Sequence, residues 1–149
     1  MIAQLFRGWG RVAALPRLFQ EHDPMAFEYE IDDTAHIVRM RSMGEFDATA
    51  WERMMRTVLR DPAWASGMPV LYDIRGETTL PPPGESARLT ESWRRLVPGS
   101  PVALVTLPGG AAYGVARQLS ALSSGQIEAF TDPDEAEVWL ASHRDAAHT

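Results

Sequence analysis

The chain contains no cysteine, which excludes disulfides, thiolate nucleophiles and thiolate metal sites. It contains no lysine either, since all 14 basic residues are arginine. That bias points to GC-rich bacterial coding and removes the lysine that a P-loop requires. Positive charge is in the minority, with 14 basic against 20 acidic residues and a net charge of −6. A protein that holds nucleic acid by neutralising phosphates needs the opposite balance, so no nucleic-acid partner is expected. No apolar run approaches the roughly 18 residues of a membrane-spanning helix. Histidines are few, and His22, His36, His143 and His148 never fall at metal-ligand spacing, so neither a metal nor another cofactor is expected. The apolar start is broken by Arg7, Gly8, Gly10 and Arg11, with no clear small-residue cleavage site behind it. A signal peptide is therefore not expected, and the cytoplasm is the default location.

What is present suits one globular domain. A chain of 149 residues, 45% hydrophobic and 23% charged, can bury a real core. Residues 1–24 stand apart. Ile2, Leu5, Phe6, Trp9, Val12 and Ala13 recur at helical spacing, and Arg7, Arg11 and Arg17 are the only charges before Glu21. A basic amphipathic helix can lie on an anionic membrane, but packing on its own domain or on a second subunit is the plainer expectation. A native start at Met25 is the other alternative. The expected organisation is an N-terminal extension over 1–24, a single domain over 25–143 and a tail over 144–149.

Phe27-Glu28-Tyr29-Glu30-Ile31 alternates apolar and acidic residues, as a half-exposed strand does. Asp32-Asp33-Thr34 is turn chemistry, and Ile37, Val38 and Met40 carry a second strand to Gly44. So short a connection makes the pair antiparallel. Asp47 is placed to cap a helix that carries Trp51, Met54, Met55, Val58 and Leu59 on one face, and Asp61-Pro62 ends it. The central strand is Val70-Leu71-Tyr72-Asp73-Ile74-Arg75, followed by a loop through Pro81-Pro82-Pro83. Leu89, Trp93, Leu96 and Val97 mark a second helix; Val102-Ala103-Leu104-Val105 reads as a strand covered on both faces. Val115, Leu119 and Leu122 mark a third helix, and a last strand runs from Gln126 to Phe130. Asp132-Pro133-Asp134-Glu135 opens a final helix that buries Ala136, Trp139 and Leu140, and residues 143–149 read as a frayed tail. Alternating units of this kind predict an α/β fold: a mostly parallel five-stranded sheet with an antiparallel first strand and helices packed on it.

Chemistry in such sheets gathers at the C-terminal ends of the strands. Asp73 and Arg75 lie two apart and share one face of the central strand, where they could hold a ligand or pair to anchor the following loop. Gly109 and Gly110 follow a strand and open a helix, with Gly114 and Arg117 beyond, a possible anion site, although the spacing is not that of a dinucleotide fingerprint. No nucleophile–base pair can be assembled, so an enzyme is not expected.

The order of elements carries a resemblance. The opening strand pair, the helix ending in Asp-Pro, Leu71-Tyr72-Asp73-Ile74-Arg75, the Ala-Leu-Val strand with Tyr113-Gly114-Val115-Ala116-Arg117, and Phe130 to Leu140 together resemble the SpoIIAA-like group of bacterial STAS-like domains. The likeness covers roughly residues 27–141. It implies a relation to anti-sigma-factor antagonists and, more distantly, to SEC14-type lipid-binding domains. Signalling members carry a phosphorylatable serine, preceded by aspartate, at the start of the helix after the central strand. Here that region reads Arg75-Gly76-Glu77-Thr78-Thr79-Leu80, and the nearest serine, Ser86, follows Gly84-Glu85, so the switch does not transfer residue by residue.

The expected function is a non-enzymatic regulatory or protein-interaction module acting through residues 76–86, with Asp73, Arg75, Thr78, Thr79 and Ser86 at its partner or ligand face. The alternative is a carrier for a small apolar or amphiphilic, lipid-like ligand, suggested by the SEC14 likeness and by Trp51, Met54, Met55 and Trp93. A homodimer is also expected, because five tryptophans and seven methionines exceed what one core needs. The leading helix is the first candidate for that contact and the Trp51 helix the second.

Overall fold

The computed structural model describes residues 25–147 apart from Pro83, with side chains to His143. The expected leading helix, His22 and His148 lie outside the described residues. Two antiparallel strands, β1 (Met25–Asp32) and β2 (Ile37–Gly44), open the domain, and helix α1 (Ala48–Arg60) follows. Then come β3 (Val70–Glu77), α2 (Glu85–Leu96), β4 (Val102–Val105), α3 (Ala111–Leu122), β5 (Ile127–Phe130) and α4 (Pro133–Ala147). The sheet has the spatial order β1-β2-β3-β4-β5, with every pair after the first parallel.

Because each parallel step moves the same way across the sheet, right-handed crossovers place α1, α2 and α3 on one face. The larger core agrees: Trp51, Met54 and Met55 of α1, Leu89 and Trp93 of α2 and Leu119 of α3 pack over Met40, Tyr72 and Leu104. The Trp93 ring stands edge-on to Trp51 at 5.1 Å and to Tyr72 at 5.8 Å. On the opposite face α4 lies over β3, β4 and β5, where Ala136 and Leu140 close on Leu71, Ala103 and Val105. Burying each such leucine contributes about 1.5–3 kcal/mol.

The helix ends follow local chemistry. Asp47 accepts from the Ala50 N–H at 3.0 Å, and Asp61 takes extended geometry before Pro62. Asp132 accepts from the Asp134 N–H at 2.9 Å, and proline occupies the first helical position of α4.

Several expectations are corrected. Helix α4 continues to Ala147, so the tail read from residue 143 is helical over most of its length. Leu122 sits at the exposed end of α3, 47% accessible, rather than in the core. Glu28 and Glu30 are not on a half-exposed face but buried, 2% and 1% accessible. Their strand partners are Arg41 and Arg39, so the acidic rows of one strand meet the basic rows of the next. Trp51, Met54, Met55 and Trp93 are all core residues of this domain.

Candidate functional site

Asp73 sits 1% exposed on the α4 side of the sheet. Arg75 donates to it from Nε at 3.0 Å, from Nη2 at 2.7 Å and from its backbone N–H at 3.0 Å. Arg41, its register neighbour on β2, donates from Nε at 3.2 Å and from Nη2 at 2.8 Å. Burial alone would raise the Asp73 carboxyl, but the hydrogen bonds from Arg75 and the charge of Arg41 outweigh it and hold the group below its usual value. Two arginines saturate the one carboxylate; sequence reasoning found Asp73 and Arg75 but missed Arg41, which lies 32 positions earlier on a separate strand.

The second cluster was not legible at all. The pairing of β2 with β3 slips between Arg41 and Met43: Arg41 faces Asp73, yet Met43 faces Gly76. One extra residue on β3 is a β-bulge, and it reverses which face the following side chains take. Period two would put Glu77 beside Asp73 and Arg75; the bulge turns it to the three-helix side. There its carboxylate accepts from the Ser42 hydroxyl, with the Tyr72 hydroxyl 3.5 Å away. Burial pushes the Glu77 carboxyl up, the two hydroxyls pull it partly back, and it settles at about 7. Burial likewise raises the Tyr72 hydroxyl. Gly76 is required in the bulge, because an added Cβ would lie 2.8 Å from Met43 Cγ and 3.2 Å from the Ser42 carbonyl oxygen.

Glu77 borders a cavity of about 50 Å³ beneath α1, walled by Phe46, Trp51, Tyr72, Trp93, Leu80 and Pro81 among others. That space is too small for an acyl chain, and the lipid-carrier alternative finds no support. A wider cleft of about 720 Å³ lies at the opposite end of the strands, lined by His36, Ser100, Gln126 and His143. None of its described lining residues is an acid or an arginine, which is why the site is built at the other edge.

Strand β3 runs two residues past Arg75, so the loop after it spans 78–84 rather than starting at 76. Its beginning is pinned: the Thr78 N–H reaches the Gly44 carbonyl at 2.8 Å, and Thr79 Oγ1 accepts from the Phe46 N–H at 2.8 Å. Ser86, in the first turn of α2, donates to Gln118 Oε1 on α3 at 2.9 Å. Gly109 takes φ +70° and Gly110 caps α3 without a side-chain bond. Arg117 is seven residues further on, about 10 Å along the helix axis, so the structure does not gather it with the glycines. Two leucines stand out at this edge: Leu80 after β3 is 42% exposed and Leu107 after β4 is 56% exposed.

The architecture has a solved counterpart. An anti-sigma factor antagonist from Mycobacterium paratuberculosis superposes with a TM-score of 0.58, covering 83% of this chain and 99% of that one at 19% identity. The chain therefore has the SpoIIAA-like, STAS-related fold that its pattern of elements resembles. No protein-family model matches the sequence, and no curated protein does. No helix among the described residues is long and apolar enough to cross a membrane.

Proposed function

We propose that the chain is a non-enzymatic regulatory module that binds another protein through the C-terminal edge of its sheet. The observation that carries this reading is the pair Leu80 and Leu107, solvent-exposed on the loops that leave neighbouring strands. Each is a large apolar side chain at the edge where α/β sheets place their ligands, available to an apolar contact there. The antagonist of shared fold supports the same class of role. Thr78 and Thr79 hold the first loop in place, while Ser86 sits at its far end on α2.

The test is affinity capture from a bacterial lysate with the full chain and with Leu80→Glu/Leu107→Glu. The double variant should keep its melting temperature and lose specific partners. Identical partner lists would remove this face from the proposal.

A further inference from the structure

The cavity beside Glu77 has an unusual composition for its size. Among its described lining residues Glu77 is the only charged one, and Tyr72 is the only other that titrates. Helices α1, α2 and α3 contribute only apolar or aromatic groups, including Trp51, Trp93 and Val115. Among the described residues the hydroxyls of Ser42 from β2 and Tyr72 from β3 are the polar groups on Glu77. Both hydroxyls would be satisfied equally by a neutral glutamine, so hydrogen bonding alone does not require a carboxylate here. Holding an ionisable acid among tryptophans carries a desolvation cost, and such groups mark sites when they face a cleft.

We infer that this cavity binds the head of a compact organic cation, an alkylammonium or a guanidinium, with Glu77 as its counter-charge and Trp51, Tyr72 and Trp93 as its aromatic walls. Aromatic surfaces attract such cations through their ring quadrupoles, most strongly when the site is dry. The volume limits the guest: about 50 Å³ is less than two waters' share of liquid volume, room for a primary ammonium or a planar guanidinium head and not for a quaternary one. Leu80 and Pro81 of the 78–84 loop complete the wall, so the cation enters from the C-terminal edge. Cation binding in this cavity does not require a protein to dock on Leu80 and Leu107. Two sources supply the same chemistry: a free small amine, or a lysine or arginine side chain of a bound protein.

The test uses the full chain and follows the indole N–H resonances of Trp51 and Trp93. Methylammonium and N-acetyl-lysine methylamide are titrated at millimolar concentration, with sodium chloride and the neutral methanol as controls. Saturable shifts are expected from the cations and not from the controls at about pH 8, where a group with a pKa of about 7 is ionised. Binding should weaken at least about tenfold near pH 5 and in Glu77→Gln, a loss of about 1.4 kcal/mol or more. Tighter binding of the lysine amide assigns the site to a partner's side chain, and tighter binding of methylammonium assigns it to a free amine. The inference is overturned by shifts that methanol reproduces, by the absence of saturable shifts from either cation, or by binding undiminished in Glu77→Gln. Should that variant not fold, the pH comparison on the unaltered chain decides alone.

Discussion

Asp73 accepts from both the Nε and a terminal nitrogen of Arg41, the residue that faces it across the parallel pair β2–β3. Removing the carboxylate takes from both arginines the acceptor they share at a buried strand end. Asp73→Ala should therefore cost about 3–5 kcal/mol, the range for breaking one side of a buried ion pair. Glu91→Ala removes only an exposed helical pair with Arg94 and should stay within about 0.5 kcal/mol. Thermal melts of both variants provide the check, and equal melting temperatures would deny Asp73 its structural role.

Glu77 gives stability a specific pH dependence. Folding raises its pKa from 4.5 to about 7, so between those values the folded chain holds a proton that the unfolded chain has released. The stabilisation is complete below the lower value and is lost as pH rises through the upper one. At about 1.4 kcal/mol per unit the loss is on the order of 3 kcal/mol. Glu77→Gln should match the parent near pH 5 and melt progressively above it as pH approaches 8. Melting curves that stay parallel across that window would refute the burial argument. Glu28, raised to about 7 by its own burial against the pull of Arg41, contributes a slope of the same sign in both proteins and cancels in the comparison.

The bulge can be tested through Gly76. Gly76→Ala forces a methyl against Met43 Cγ and the Ser42 carbonyl and should cost about 1–3 kcal/mol. Shortening Met43 to alanine in the same chain should return part of that loss, because a flexible side chain is the nearer obstacle. Denaturant unfolding of the two single variants and the double variant gives the coupling. Strict additivity would mean that the two residues do not meet.

The elements themselves were legible because each rests on local chemistry. Asp47 and Asp132 announce helix starts by their short acceptor side chains, and the unbroken Val102–Val105 run announces a strand covered on both faces. What stayed hidden depends on a second strand. The alternation of Glu28 and Glu30 reads as solvent exposure until Arg41 and Arg39 are found opposite them. Glu77 reads as loop after Gly76, and even counted as strand it would be assigned to the wrong face, because the extra residue is defined only against β2. Periodicity within one segment carries no information about register with another. The candidate site falls where that limit bites: Ser42, Tyr72 and Glu77 meet only after the slip.

The order of the strands in space repeats their order in the chain. Each strand can therefore join the sheet at the margin the previous one forms, and none must be threaded between two already paired. The three-helix side can thus close progressively as the polypeptide lengthens. The other side cannot. Leu71, Ala103 and Val105 stay wet until Ala136 and Leu140 arrive, so a nascent chain halted after β5 would present a sticky, half-covered sheet.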